Sequence, residues 1–268
     1  MPEGHTLHRL AKLHHRRYAG RAVAVSSPQG RFDASAVDGR VLRRAEAHGK
    51  HLFHVYGPDA TVHVHLGLYG TFTEATRPVA EPVGQVRMRL VGDTHWTDLR
   101  GPTRCEVLTD VEVAALRARL GPDPLRRDAD PAAVFARLTR SRQPIGALLM
   151  DQRVVAGVGN VYRAELLFRH GVHPLTPGTA VDRARWDEMW ADLVVLMRAG
   201  VRVGRIDTVR PEHLPEVTGR APRQDRHGGE VYVYRRAGLP CLVCGTPVAQ
   251  ADLVGRNLFW CPGCQPRG

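Results

Sequence analysis

The stretch Gln152-Arg153-Val154-Val155-Ala156-Gly157-Val158-Gly159-Asn160-Val161-Tyr162-Arg163-Ala164-Glu165 decides the fold class. It reads as a glycine turn opening into a helix, whose first backbone N–H groups suit a phosphate. A dinucleotide-binding motif would need a third glycine and a preceding parallel-sheet pattern, and the chain supplies neither. The first half of the chain is β-rich: Val62-His63-Val64-His65-Leu66 and Val86-Arg87-Met88-Arg89-Leu90 alternate as half-buried strands do. The chain after it is helical, with Trp186, Met189, Trp190, Leu193, Val194 and Met197 forming one apolar stripe. Strands first and helices second predict an α+β chain.

Toward the N-terminus, Leu7, Leu10, Ala11 and Tyr18 recur at helical spacing, so a first helix is expected over Thr6–Tyr18, with Gly20 as its stop. Further helices are expected over Pro131–Arg140 and Pro144–Asp151. Gly121-Pro122-Asp123-Pro124, with the charged run Arg126–Pro131, reads as a hinge, and the Pro-, Gly- and Arg-rich stretch Val203–Gly229 as a mobile loop. The expected division is therefore an N-terminal domain over 1–120, a hinge over 121–132, a helical domain over 133–230 and a terminal module over 231–268. The pair His63 and His65, alternate on one sheet face, is expected to be solvated or hydrogen-bonded rather than metal-binding.

That terminal module is defined by Cys241-x2-Cys244 and Cys261-x2-Cys264. Each pair can put two thiolates on one knuckle, and a hairpin that brings the knuckles together completes a closed tetrahedral zinc site. Disulfides are the competing reading, which a reducing compartment disfavours. One structural zinc is expected, with no open position for chemistry, and Arg256 lies between the pairs. Cys105 is left over as a small core residue.

Composition sets the partner. The 268 residues are 43% hydrophobic, enough for a packed core, and no run approaches the ~20 apolar residues of a membrane span. With no signal-peptide core at the start, a cytoplasmic location is expected. Net charge is +11 with no basic tail to explain it, so a folded surface facing a polyanion is expected, nucleic acid before an anionic membrane. Of 38 basic residues only Lys12 and Lys50 are lysine. Lys12 reads as a solvated helix position. Lys50, behind the turn residue Gly49, reads either as an ordinary exposed lysine or as a group whose task needs a proton that guanidinium cannot give up.

The start Met1-Pro2-Glu3-Gly4 carries the candidate chemistry. Removing Met1 would expose a secondary amine beside a carboxylate. A terminal amine, with a reference pKa of about 8 against about 10.4 for lysine, is far more often neutral at pH 7 and so nucleophilic. The plainer reading makes Pro2 a helix-start residue and Glu3 a favourable charge at a helix N-terminus.

Together, Met1-Pro2-Glu3-Gly4, the Gly49-Lys50 turn, the Gly121-Pro122-Asp123 hinge, Leu149-Met150-Asp151-Gln152 through Gly157-Val158-Gly159-Asn160, and Gly255-Arg256 before Trp260-Cys261-Pro262-Gly263-Cys264 resemble the Fpg/Nei DNA glycosylases, the endonuclease VIII branch most closely. The resemblance spans nearly the whole chain. It implies an N-terminal β-sandwich with a leading helix, a helical domain with a helix–two-turn–helix motif, and a zinc-ribbon hairpin, with damaged double-stranded DNA held in the cleft between domains. It further implies that Pro2 attacks C1′ of the damaged nucleotide, that Glu3 handles protons at the sugar, and that Lys50 and Arg256 serve β- and δ-elimination, Arg256 by gripping phosphate. Asn160, with Gly159 at the turn before it, matches the phosphate grip beside the lesion, and Arg119 matches another DNA-contacting arginine. Leu68 and Tyr69 resemble the wedge that fills the gap left by a flipped nucleotide, although they also read as strand-end core. Gly67 departs from the better-known pattern, which has glutamine there.

The expected activity is thus base-excision repair of oxidised bases, pyrimidines first, by a monomeric, nucleoid-associated glycosylase/AP lyase. A formamidopyrimidine/8-oxoguanine-type glycosylase is the alternative within the family, and a non-catalytic zinc-ribbon damaged-DNA-binding protein the alternative outside it.

Overall fold

The computed structural model describes residues 2–225 and 229–267, and the chain divides into two compact units, 1–119 and 120–268. Unit one begins with helix α1 (Gly4–Tyr18), longer at its head than the apolar spacing indicates because Glu3 takes the N-cap position. Eight strands come next: β1 (Ala24–Ser26), β2 (Arg44–His48), β3 (His51–Gly57), β4 (Ala60–His65), β5 (Thr71–Thr76), β6 (Val86–Val91), β7 (His95–Arg100) and β8 (Arg104–Leu108). They form two antiparallel four-stranded sheets, ordered β1-β6-β7-β5 and β2-β3-β4-β8. Both sheets and α1 bury one core, which includes Leu7 and Tyr18 from the helix, Leu52, Val62 and Val64 from one sheet, and Met88, Leu90 and Leu99 from the other. The unit is a β-sandwich with a leading helix, closed by α2 (Asp110–Ala118), whose Thr109 and Glu112 form a reciprocal capping box.

Alternation predicts a half-buried β4, whereas the strand is buried along both faces, His63 included. The reason is α2, which packs on β4 and β8 and covers the face that would otherwise meet solvent. Arg117 of α2 sets its guanidinium 4.7 Å from the Phe53 ring centroid.

A buried polar group anchors α1 to the sandwich. His14 Nε2 lies 2.6 Å from Glu74 Oε1, and its Nδ1 2.9 Å from His54 Nε2. Because the carboxylate can only accept, Nε2 of His14 donates to it, while His14 Nδ1 and His54 Nε2 share a second hydrogen bond. Arg17 binds the same carboxylate.

Unit two holds α3 (Pro131–Leu138), α4 (Ile145–Leu148), α5 (Asn160–Arg169), α6 (Arg183–Val203), α7 (Pro215–Thr218) and a hairpin of β9 (Ala249–Asp252) and β10 (Asn257–Trp260). Pro131 at the first helical position and Asp130 as cap fix the start of α3, and the helix expected to run to Asp151 stops after one turn as α4. Trp186, Met189, Leu193 and Met197 of α6 lie in the core of this unit together with nearly all of α5. The stretch 203–229 is less irregular than its composition suggests. Gly204 caps α6 in the left-handed conformation, a short turn of 3-10 helix spans Pro211–His213, and α7 comes directly after it; residues 226–228 of the expected mobile loop lie outside the described residues.

Candidate active site

At the head of α1, Glu3 is extended (φ −117°, ψ 179°) and its side chain is fully buried, while Pro2 next to it is half-buried. Thr6 N–H donates to the Glu3 carbonyl at 2.9 Å, the first bond of the helix. The carboxylate therefore sits where the α1 dipole favours negative charge, shielded from solvent. His5 is also buried, and burial, reinforced by Arg9, holds its pKa down at about 4.

Lys50 occupies the two-residue turn between β2 and β3, with His48 paired to His51 across it. Gly49 has φ +57°, which the first position of a type II′ hairpin turn requires and which a side chain would strain. Lys50 is half-buried rather than fully exposed. Beyond the turn, His51, His63, His65, Arg104, Glu106 and Arg119 line a cavity of about 660 Å³. His63 bridges His51 (2.8 Å) and Glu106 (3.0 Å), so His63 of the histidine pair is hydrogen-bonded and not solvated. Burial first, and then the neighbouring His63 and His65, push the His51 pKa down to about 3.

Leu68 and Tyr69 lie in a turn after β4 and are exposed, by 48% and 85%, so neither is strand-end core. Gly67 before them has φ +66°, and a Cβ there would lie 1.9 Å from Thr103 Oγ1. A side chain at this turn would require the Thr103 side chain to move and would hold the backbone in a strained positive-φ conformation. Arg119 caps the end of α2 and is exposed.

In unit two the glycine turn is built by Gln152, whose Oε1 accepts Gly157 N–H (2.9 Å) while its Nε2 donates to the carbonyls of Met150 and Val158 (3.0 and 2.9 Å). Gly159 caps α5 with no side chain of its own, and Asn160 is the first helical residue. Asn160 is 5% exposed and donates Nδ2–H to the carbonyl of Asn257 at 2.9 Å. Arg256, just before Asn257, closes a tight turn with Leu253 (2.9 and 3.2 Å), whose central residues Val254 and Gly255 both have positive φ, and its side chain is exposed. Asn160 is thus joined to the residue after Arg256, a link that sequence distance conceals.

The four cysteines converge. Their sulfurs lie within 4.8 Å of one another, with Cys241 to Cys264 at 3.8 Å and Cys244 to Cys261 at 3.4 Å. A tetrahedron with Zn–S bonds of about 2.3 Å has edges of roughly 3.8 Å, so the cluster is shaped for one zinc ion. Backbone N–H groups of Val243 and Cys264 point at Cys241 and Cys261 sulfurs at 3.4 Å, as in a thiolate knuckle. Cys105 is buried in the core of unit one.

Two buried residues are not legible as site components from sequence. Arg163 and Glu165 lie on α5 close to the glycine turn, yet Arg163 reaches the Asn257 carbonyl and Glu165 reaches Thr208 and the amides of 232–234, all in distant segments. The only sign in the sequence is that polar side chains interrupt an otherwise apolar helix.

A β-sandwich with a leading helix, a helical unit with a glycine-turn helix and a four-cysteine hairpin define an α+β protein of the zinc-finger class. Three family models match in order: the formamidopyrimidine-DNA glycosylase N-terminal domain at residues 1–105, the formamidopyrimidine-DNA glycosylase H2TH domain at 120–211, and the zinc finger found in FPG and IleRS at 238–267. The chain is 61% identical to Endonuclease 8 1 of Mycobacterium tuberculosis over 99% of its own length and 100% of that protein. It is 35% identical to Endonuclease 8 2 of Mycobacterium bovis (99% and 100%) and 33% identical to a formamidopyrimidine-DNA glycosylase of a Synechococcus species (78% and 74%). Among solved structures, Lactococcus lactis formamidopyrimidine-DNA glycosylase bound non-covalently to DNA with an AP site matches with a TM-score of 0.78 at 18% identity, covering 99% of this chain and 100% of that one. The chain belongs to the Fpg/Nei family of DNA glycosylases and AP lyases. Its finger is a structural zinc site held by Cys241, Cys244, Cys261 and Cys264.

Proposed function

We propose that the protein is a bifunctional DNA glycosylase/AP lyase that removes oxidised bases, pyrimidines first, from double-stranded DNA. The observation that carries this reading is a fully buried Glu3 beside Pro2 at the head of α1, in a chain 61% identical to a protein named Endonuclease 8 1.

With Met1 removed, the Pro2 amine attacks C1′ and the bond from C1′ to the base breaks, the base leaving with a proton. Glu3 manages the protons at the sugar, and the ring opens to an iminium at C1′ as O4′ takes a proton. The iminium accepts the electron pair of the C2′–H bond as C3′–O breaks and the 3′ phosphate leaves. The conjugated iminium then accepts the pair of the C4′–H bond as C5′–O breaks and the 5′ phosphate leaves. Water finally releases Pro2. Lys50 moves protons in the first elimination. Arg256 holds a phosphate through its planar donor fork for the second. Asn160 and the N–H groups after Gly159 grip the backbone, Arg119 adds a phosphate contact, and Leu68 with Tyr69 fills the space of the extruded nucleotide at a cost of a few kcal/mol in unstacking. Zinc, when bound, stiffens the hairpin that carries Arg256.

In this reading residues 1–120 are the catalytic domain, 121–132 a hinge, 133–230 the helix–two-turn–helix domain and 231–268 the zinc finger. The protein acts as a cytoplasmic, nucleoid-associated monomer. Among the described residues no helix is long and apolar enough to cross a membrane, and the net charge of +11 favours a polyanionic partner. The formamidopyrimidine-type alternative is supported by the 33% identity to a protein named for that activity and by the two family models that carry the same name. Excision assayed on thymine glycol and 8-oxoguanine duplexes separates them: faster release of thymine glycol is expected, and the reverse preference would favour the alternative. Binding without excision or trapping would leave the zinc-ribbon binding protein.

A further inference from the structure

We infer that Arg163 is a positioning residue that fixes Asn160 and the Arg256 hairpin as one phosphate-holding device, and so controls how far strand cleavage proceeds beyond β-elimination. The inference rests on the proposed function above. Arg163 lies on α5 three residues after Asn160, on the same helical face, and is fully buried. One arm of its guanidinium, Nη2, donates to Oδ1 of Asn160 and, at 2.8 Å, to the carbonyl of Asn257. The other arm, Nη1, donates to the Gly146 carbonyl at 3.3 Å. The Asn257 carbonyl thus accepts from both Asn160 Nδ2 and Arg163 Nη2.

The donor inventory has two consequences. Guanidinium has no acceptor, so it orients the Asn160 amide with Oδ1 inward, committing one N–H to Asn257 and leaving the second for a phosphate oxygen. The same guanidinium ties the first residue of β10 to the N-terminus of α5, so the backbone at Arg256 is fixed relative to Asn160. Only a planar fork can hold these acceptors together; an ammonium is a single point of charge. Base release and the first elimination depend on the amine at Pro2 and its proton partners. The second elimination depends most on the phosphate held by Arg256, so it should be the step that loosens.

The test uses the full-length zinc-loaded protein with Arg163→Met and Arg163→Lys, on duplex DNA with one abasic site. Gels resolve the unsaturated-aldehyde end left by β-elimination from the 3′-phosphate end left by δ-elimination, and borohydride trapping reports the iminium. Trapping is expected to stay within about twofold of wild type while the δ-to-β product ratio falls about tenfold in both variants. If Arg163→Met fails to fold, the lysine variant decides alone, since it keeps the buried charge. An unchanged ratio in a variant that traps overturns the inference, as does loss of trapping with zinc retained, which would place Arg163 before strand cleavage. Failure of the wild type to trap is a separate result and overturns the underlying reading.

Discussion

Glu165 and Thr208, 43 residues apart, meet in a 2.6 Å hydrogen bond in which the hydroxyl donates to a fully buried carboxylate. The same carboxylate accepts the backbone N–H groups of Tyr232 (2.7 Å), Val233 (2.9 Å) and Tyr234 (2.8 Å). Glu165 lies on α5, and the three amides belong to the segment leading into the zinc finger, so one side chain ties α5 to the chain that carries the finger. Glu165→Ala would strand three buried N–H groups, at a cost of about 3–5 kcal/mol. Urea unfolding monitored by tryptophan fluorescence checks this, because Trp186 and Trp190 lie in the same unit. A loss below about 1 kcal/mol would show that the amides find other partners.

Acid should weaken unit one. Burial holds His51 at about 3 and His5 at about 4, both from 6.5, and holds His54 well below its ordinary value. These groups are neutral in the folded state and bind protons on unfolding, so their contribution is complete above pH 6.5 and is lost as pH falls through about 4 for His5 and about 3 for His51. The slope approaches about 1.4 kcal/mol per pH unit for each histidine that stays neutral. The melting temperature is expected to drop by more than about 5 °C between pH 7 and pH 5, and His51→Phe should flatten that dependence.

Gly67→Gln is expected to harm the protein. The substituted Cβ would meet Thr103 Oγ1 at 1.9 Å, and the backbone at φ +66° adds about 1–2 kcal/mol of strain. Excision should fall in parallel with stability, with no gain in discrimination between bases opposite the lesion. Improved discrimination with normal stability would contradict this.

Zinc removal should act locally. Chelation, or Cys264→Ser, is expected to release the metal, melt the β9–β10 hairpin and reduce δ-elimination, while the strand signal of the sandwich in circular dichroism persists. Loss of the sandwich signal on chelation would show that the metal holds more than its own hairpin.

How much of this molecule is legible in its sequence depends on the range of the interactions. Cysteine spacing, the Gly157-to-Asn160 turn and the apolar stripe of α6 are local, so they are readable. The burial of His63 depends on α2, some 50 residues later, and alternation alone presents β4 as half-solvated. Hydrogen bonds such as His14 to Glu74, Arg163 to Asn257 and Glu165 to Tyr232 join segments 60 to 94 residues apart, and no periodicity encodes them. The exposure of Leu68 and Tyr69 is likewise undecided by pattern, because the positive-φ turn at Gly67 is what lifts them away from the strand.

The nucleophile itself can be observed directly. Borohydride reduction of the enzyme on abasic-site DNA, then nuclease and trypsin digestion and mass spectrometry, should find the sugar remnant on the amine of Pro2 in the peptide Pro2–Arg9. Pro2→Gly with Lys50→Ala should trap far less, and protein retaining Met1 or carrying an N-terminal tag should not trap while still binding DNA in a salt-dependent way. A remnant on any other residue, or no adduct from correctly processed wild type, would contradict an N-terminal proline as the attacking group.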